Sequence, residues 1–231
     1  MTVLLQAQYA HPIEREYEAW IVQGIETYFH HASFSYAIWA VSPFEEARWP
    51  ADERLALGCK VVGLQFKQAK LAKGKLDFDR LHWSLHSPDG QLKLVQRHKE
   101  IYYCLPTFVN RLLRRQALEH CLFWRPTKDE PNRNVWYENP AAQTPYKGVC
   151  DAMRWGRFVE SMLSCAVGKK ISSAKDGATF LGTIQRDMNQ LIRKKGIVPG
   201  EVGREAVRAA PDQETEAVES ALYVLAVEVR G

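Results

Sequence analysis

The stretch CKVVGLQFKQAK, residues 59–70, decides the fold of this chain. It begins as an apolar run and then alternates, with Leu64 and Phe66 on one side and Gln65 and Lys67 on the other. A period of two residues predicts a β-strand with one buried face and one face that presents polar groups. An ordinary half-exposed strand shows the same pattern as a strand that carries a binding site, so both interpretations stay open.

The segments on either side of this strand predict an α/β core. Aromatic and β-branched residues indicate further strands over residues 34–41, 81–86, 101–105 and 120–124. Apolar residues at helical spacing predict helices over residues 13–31 and 108–118, the second of them capped by Thr107. The order of elements is therefore helix, four strands, helix and strand.

The first predicted helix carries two glutamates at the edge of its apolar stripe. Glu14 and Glu18 are four residues apart and lie beside Ile21 and Ile25 of that stripe. One or both carboxylates are therefore expected to point toward the boundary of the core, whereas Glu16 is expected to face solvent.

The second half of the chain predicts a helical extension. Prolines and polar residues over 129–148 indicate a linker or a long surface loop. Apolar stripes predict helices over residues 151–167 and 178–195, and residues 214–229 form a short element of ambiguous type. We therefore divide the chain into a core over residues 1–128, the linker, and an extension over residues 149–231 for partner docking or oligomerisation.

Charge is unevenly distributed along the chain. Residues 1–59 hold eight acidic and three basic side chains, whereas residues 60–128 hold fourteen basic and five acidic ones. An acidic segment followed by a basic one suits a site in which carboxylates hold a metal ion while lysines and arginines hold phosphate. Lysine and arginine are also common on ordinary surfaces, so the pattern supports this interpretation without requiring it.

Cysteine usage and hydropathy narrow the class of protein further. The five cysteines are scattered without a Cys-x-x-Cys pair, which argues against structural zinc and against a disulfide framework. Cys104 and Cys121 lie in apolar, strand-like runs, where buried free thiols are common. The sequence lacks an apolar run long enough to span a membrane, and its N-terminus is a poor signal peptide, so we expect a cytoplasmic protein.

Three spaced features carry a resemblance to a known superfamily. They are the glutamate-bearing helix around Glu18, an acidic residue shortly before the central strand at Asp52 or Glu53, and the strand motif Gln65-Phe66-Lys67. Together they resemble the PD-(D/E)xK nucleases, in particular Mrr-like restriction nucleases and archaeal Holliday-junction resolvases, over residues 11–125. The resemblance implies a restriction-endonuclease-like mixed sheet flanked by helices, followed here by the helical C-terminal extension.

The resemblance also implies roles for individual residues. Asp52, Gln65 and Lys67 would be catalytic, and a Mg²⁺ or Mn²⁺ ion would be held by Glu18, Asp52 and Glu53. Lys67 would orient the attacking water or neutralise charge on the phosphate. Side chains expected to bind nucleic acid are Lys70, Lys73, Arg111, Arg114 and Arg115.

Two assignments within this motif stay open. Glu45 and Glu46 compete with Asp52 and Glu53 for the acidic position. The strand motif is also matched by residues 68–70, although the apolar run favours residues 65–67 because it places them inside the strand.

The predicted function is Mg²⁺-dependent cleavage of DNA in a prokaryotic anti-phage defence or mobile-element system, a setting that only the resemblance implies. The chain is expected to bind DNA, with a homodimer or a partner protein possible and no membrane contact. The alternative is a catalytically weak or inactive nuclease-like subunit that binds nucleic acid or a partner protein within a larger complex. A third interpretation, a structural α/β protein without a role in nucleic-acid chemistry, would lack salt-sensitive DNA binding.

Overall fold

The computed structural model describes residues 11–41, 59–71, 80–85, 91–126, 135–138, 151–164, 166–193 and 222–228. The α-helices are α1 (Glu14–His31), α2 (Gln91–Arg97), α3 (Trp155–Leu163) and α4 (Ala174–Arg193), and Arg111–Gln116 form a 3₁₀ helix. The strands in the first half are β1 (Tyr36–Val41), β2 (Cys59–Phe66), β3 (Lys70–Leu71), β4 (Arg80–Trp83) and β5 (Ile101–Pro106). The later strands are β6 (Cys121–Trp124), β7 (Val135–Glu138), β8 (Met153–Arg154), β9 (Lys169–Ile171) and β10 (Leu222–Glu228).

A mixed seven-stranded sheet forms the centre of the fold. Its strand order is β1-β10-β2-β5-β6-β8, and β9 pairs with the first residues of β2. Strands β2 and β5 run parallel, whereas the other pairs in this sheet are antiparallel. Strands β3, β4 and β7 form a separate three-stranded sheet. The expectation of an α/β protein with a mixed central sheet flanked by helices is thus confirmed.

Strand β2 is buried on both faces, which differs from the half-exposed strand that its alternation predicted. All eight of its residues are buried, and Gln65 is only 1% exposed. Helix α3 helps to cover one face, because Phe158 stacks on Phe123 of β6 with ring centroids 4.5 Å apart. Period-two alternation shows which side chains share a face, but it does not show whether a second layer covers the polar one.

The C-terminal segment supplies the strand that joins β1 to β2. Residues 222–228 pair antiparallel with both neighbours, so β10 lies inside the sheet. This region is therefore not only a helical extension, although α3 and α4 are helical as expected. The run LYVLAVE has too few polar residues to distinguish a buried strand from a buried helix by periodicity, which is why the sequence left it ambiguous.

Several local elements also differ from expectation. The segment predicted as a helix over 108–118 is a 3₁₀ helix, and it is capped by Asn110, whose side chain accepts a hydrogen bond from the Leu112 amide at 2.9 Å. Thr107 does not cap it, because its hydroxyl donates to the His120 carbonyl at 3.1 Å. Helix α2 and strand β7 were not expected, since both lie in short segments with weak periodicity.

Helices α2 and α4 are joined by an ion-pair cluster. Asp187 on α4 accepts from Arg97 at 2.9 Å and pairs with His98 at 3.0 Å. Cys104 and Cys121 are buried free thiols, as predicted. Among the described residues, no helix is both long and apolar enough to cross a membrane.

We expect Gly63→Ala to destabilise the fold, because β2 and β5 approach closely at this position. A Cβ atom added at Gly63 would lie 2.9 Å from Cγ1 of Ile101. Crowding of this kind lowers the free energy of unfolding by about 1–3 kcal/mol. Chemical denaturation measures the change.

The matched control is Gly182→Ala in α4, where an added Cβ meets no heavy atom within 4 Å outside the helix itself. This change is expected to raise the free energy of unfolding by about 0.5–1 kcal/mol, because alanine is the better helix former. Equal stability of Gly63→Ala and the wild type would contradict the close packing of β2 on β5.

Candidate active site at the end of strand β2

The structure places the sequence-predicted site residues in three separate locations. Gln65 and Lys67 lie at the carboxyl end of β2, and Lys70 lies nearby on β3. Glu18 lies on α1. The three arginines belong to the 3₁₀ helix, and Asp52, Glu53 and Lys73 lie outside the described residues, as do the competing Glu45 and Glu46.

A cluster of four side chains surrounds the end of β2, and we call it the strand-end site. Its members are Glu14, Lys67, Gln68 and Tyr103. The backbone amide of Gln68 donates to Oε2 of Glu14 at 3.3 Å. The ammonium of Lys67 lies 6.0 Å from the centroid of the Tyr103 ring and interacts electrostatically with Glu14. The cluster therefore combines one carboxylate with one ammonium.

The start of α1 is held against the chain that leaves β2. The side-chain amide of Gln68 donates to the Pro12 carbonyl at 2.9 Å, directly before the first turn of the helix. Because the backbone amide of Gln68 also bonds Glu14, one residue fixes both the helix start and the carboxylate. This structural use of Gln68 favours residues 65–67 over residues 68–70 as the functional motif.

Lys67 and Gln65 are enclosed by the fold. Lys67 is 2% exposed and its backbone amide donates to the Cys104 carbonyl at 3.1 Å. Gln65 lies opposite Tyr103 in the parallel register, so their side chains share a face of the sheet. The Tyr103 hydroxyl donates to the Leu85 carbonyl at 3.2 Å, which fixes the ring beside the lysine.

Burial dominates the electrostatics of Glu14. Desolvation raises the pKa of this carboxyl above its usual 4.5, and the nearby charge of Glu18 raises it further. The ammonium of Lys67, the Gln68 amide and the ammonium of Lys70 act in the opposite direction and stabilise the ionised form. Any additional cation that approached this carboxylate would stabilise its ionised form further and lower its pKa.

Glu18 belongs to a different environment from Gln65. The Glu18 carboxyl is hydrogen-bonded to Tyr223, which lies opposite Leu64 in the β2–β10 register, whereas Gln65 lies opposite Leu222. Neighbouring residues of a strand point to opposite faces, so Glu18 contacts the face that Gln65 does not share. Among the described residues, the charge of Lys67 thus lowers the pKa of Glu14, whereas the causes that shift the pKa of Glu18 are burial, Tyr223 and Arg15.

Oxygen donors at the strand-end site suit a hard cation. The Glu14 carboxylate lies near the end of β2, the strand that carries Gln65, and carboxylate and amide oxygens are ligands that Mg²⁺ accepts. Within the described part of the chain there is no group of three histidine, cysteine or acidic side chains that could hold a metal. A metal centre here would therefore need an acidic residue beyond those ranges, which is where Asp52 and Glu53 lie.

Arg111 has a structural partner that the sequence did not reveal. Its guanidinium donates to both carboxylate oxygens of Glu16, at 2.9 and 2.6 Å, and so ties the 3₁₀ helix to the first turn of α1. Glu16 is therefore paired and not simply solvent-facing. Arg114 and Arg115 are exposed on the same 3₁₀ helix and stay the better candidates for phosphate contacts.

The sequence indicated Glu14 only as one of two residues at the boundary of the core. Glu14 comes near Lys67 because Gln68 forms hydrogen bonds with the residues at the start of the helix. Tyr103 and Tyr223 occur in apolar runs without any local feature that distinguishes them from core tyrosines. Only the pairing of distant strands places them at these carboxyl and amino groups.

Two glutamates in the first turn of α1 are expected to change stability with pH in opposite directions. Glu14 has a raised pKa in the folded state, so its favourable contribution is complete below 4.5 and is lost as pH rises through the raised value. Glu16 has a pKa lowered chiefly by its hydrogen bond with Arg111, so its contribution is present above 4.5 and lost as pH falls through the lowered value.

The test is the free energy of unfolding of Glu14→Gln and Glu16→Gln from acid to neutral pH. Relative to wild type, Glu14→Gln gains stability as pH rises above 4.5, whereas Glu16→Gln loses stability as pH rises through the lowered pKa of Glu16 toward 4.5 and changes no further above it. Parallel pH profiles for the two variants would contradict the burial of Glu14 beside Lys67. Glu26→Gln, an exposed glutamate on the same helix, controls for the removal of one charge.

Comparison of the chain with protein-family models, curated proteins and solved structures found no match.

Proposed function

We propose that this chain hydrolyses phosphodiester bonds of DNA in a Mg²⁺-dependent reaction, in the manner of the PD-(D/E)xK nucleases that its motifs resemble. One observation carries the proposal. At the carboxyl end of a buried strand in a mixed sheet, the Lys67 ammonium is near enough to the Glu14 carboxyl to stabilise its ionised form, and Gln65 lies two residues before that lysine. Carboxylate, amide and ammonium are the groups that this reaction requires.

Each group has a role that follows from its chemistry. Oxygens of Glu14, Gln65 and either Asp52 or Glu53 would hold the ion, which would supply activation of water and neutralisation of phosphate charge. Glu14 takes the position that the resemblance gave to Glu18, because the charge of Lys67 acts on Glu14 whereas the Glu18 carboxyl has Tyr223 as its hydrogen-bond partner. Lys67 would hydrogen-bond the attacking water or a phosphate oxygen, and the Tyr103 ring limits where its ammonium can lie.

The surroundings of the site support an anionic substrate. Arg114 and Arg115 are exposed, and Arg111 ties their helix to the start of α1 next to Glu14. Lys70 is close enough to interact with Glu14, and Lys73 follows it in sequence. DNA as substrate, a defence or mobile-element setting, and a homodimer or partner protein are parts of the proposal that rest on the resemblance.

A second candidate function is a nuclease-like subunit that binds nucleic acid or a partner protein without cutting. The observation that favours it is the burial of Lys67, which is 2% exposed and already interacts with Glu14. A lysine so enclosed contributes to structure whether or not it meets a phosphate.

Cleavage assays separate the two functions. Wild type and Lys67→Ala are incubated with supercoiled, linear and single-stranded DNA, with Mg²⁺ and with chelator. The proposal predicts Mg²⁺-dependent cleavage by the wild type and a loss of at least about 100-fold in kcat for Lys67→Ala, because the lysine acts where charge develops. Circular dichroism checks that the variant is folded.

Two further variants make the result specific. Lys93→Ala removes an exposed lysine from α2 and is expected to cut like the wild type. Lys70→Ala is expected to weaken DNA binding while kcat is retained, which tests the alternative motif at residues 68–70. Salt-sensitive DNA binding without cleavage would support the subunit function. Neither binding nor cleavage would contradict a role on DNA and leave docking to a partner protein as the subunit function.

A further inference from the structure

The 3₁₀ helix carries an apolar side chain that the fold leaves uncovered. Leu112 is 75% exposed, more than Ile13 and Tyr28, the other large apolar side chains that are exposed in the described part of the chain. The next residue, Leu113, packs against the hydrophobic core, so the helix presents one leucine to the core and one to solvent. Single exposed leucines are common on protein surfaces, so the surroundings of Leu112 decide whether it has a partner.

Hydrogen bonds and packing hold this leucine on a fixed platform. The Asn110 side chain accepts from its amide at 2.9 Å, and Arg111 donates to both carboxylate oxygens of Glu16 at 2.9 and 2.6 Å. Just beyond the helix, Leu118 lies so close to α1 that a Cβ atom added at Gly24 would be 2.9 Å from its Cβ. Both ends of the platform are thus fixed to α1, and a partner that binds there would have little backbone to order.

The side chains around this leucine are cationic. The helix holds three arginines and no acidic residue. Side chains three residues apart line up in a 3₁₀ helix, so Arg115 lies in the row of Leu112 and Arg114 in the row of Arg111. Arg114 and Arg115 are exposed, and Glu16, which reaches the helix from α1, is neutralised by its pairing with Arg111. The exposed face therefore combines one apolar side chain with positive charge.

This combination is complementary to DNA. Proteins that kink the duplex insert side chains such as leucine between two base steps, and arginines bind the phosphates beside the inserted side chain. In DNA the apolar faces of the bases lie between closely spaced phosphates, so a leucine and an arginine in one row of a short helix can meet both. The charge of the helix thus favours a polyanion over an apolar protein surface as the occupant.

We propose that Leu112 is a wedge residue that enters the base stack of bound DNA, while Arg114 and Arg115 hold neighbouring phosphates. The inference deepens the proposed function and rests on it for the choice of DNA as the substrate. Arg111 ties this helix to the first turn of α1, which also carries Glu14, so the wedge opens the stack near the strand-end site.

The test measures binding of the full chain to duplex DNA in the presence of chelator, so that no strand is cut. Duplexes with 2-aminopurine at successive positions report unstacking, because the fluorescence of this base rises when its neighbours no longer stack on it. We expect the wild type to raise the fluorescence. Leu112→Ala should lose this rise and bind about tenfold more weakly, because less apolar surface leaves water on binding. Leu112→Met keeps an apolar side chain of similar size and should behave like the wild type.

The arginines are expected to act differently from the leucine. Arg114→Ala and Arg115→Ala should each reduce the steepness of log affinity against log salt concentration by about one, because each removes a phosphate contact. Leu112→Ala should leave that slope as in the wild type, because a wedge neutralises no phosphate. Lys93→Ala removes an exposed cation from α2 and controls for the loss of charge alone. Unchanged slopes in both arginine variants would overturn the phosphate contacts.

Three results would overturn the wedge. They are equal fluorescence and affinity for the wild type and Leu112→Ala, no DNA binding by the wild type, and a change in the mass of the free protein in Leu112→Ala, which light scattering would detect if the leucine contacted a second copy. Circular dichroism checks that each variant is folded.

The wedge and the proposed function can fail separately. Cleavage by the wild type without any effect of Leu112→Ala on binding or fluorescence would leave the proposed function standing and overturn the wedge. A rise in fluorescence that needs Leu112, without cleavage when Mg²⁺ is added, would support the wedge and contradict the proposed function.

Discussion

The burial of the Lys67 ammonium at the end of β2 is the constraint on which the strand-end site depends. Lys67 lies at the end of a strand that is buried along its whole length, where an isolated charge would be strongly unfavourable. The Glu14 carboxylate at the start of α1 compensates part of this charge. The hydrogen bonds from Gln68 to Pro12 and Glu14 hold the start of α1, and with it the Glu14 carboxylate, near the end of β2.

The same constraint explains why the C-terminal strand matters. Strand β10 separates β1 from β2, so the sheet beneath α1 is continuous only when residues 222–228 are in place. Its Tyr223 then meets Glu18 one helical turn beyond Glu14. Two carboxyl groups on successive turns of one helix thus serve different partners, one at the end of β2 and one on a face of the sheet.

Local patterns in the sequence were sufficient for the elements with strong periodicity. Helix α1, strand β1 and strand β2 lie within a few residues of their predicted bounds, because their apolar residues follow a clear period. The sequence did not identify β10 as a strand or its place in the sheet, because a run buried on both faces has no polar alternation to show its conformation.

The site was predictable only in part for a related reason. The alternation of β2 correctly grouped Gln65 with Lys67, and the spacing of Glu14 and Glu18 correctly placed both at the core boundary. Which of the two glutamates lies near Lys67 depends on contacts between segments that are far apart in the sequence. No local sequence pattern indicates such contacts. Predictions for Asp52, Glu53 and Lys73 fall outside the described residues and stay predictions.

The most direct measurement of the central claim is anomalous diffraction from crystals of the wild type soaked with Mn²⁺, a scattering substitute for Mg²⁺. The account predicts a peak within about 2.5 Å of a Glu14 carboxylate oxygen, with the Gln65 amide oxygen in the same coordination sphere. A peak bonded to Glu18 and not to Glu14, or no peak at the end of β2 in crystals of protein that cuts DNA, would contradict it.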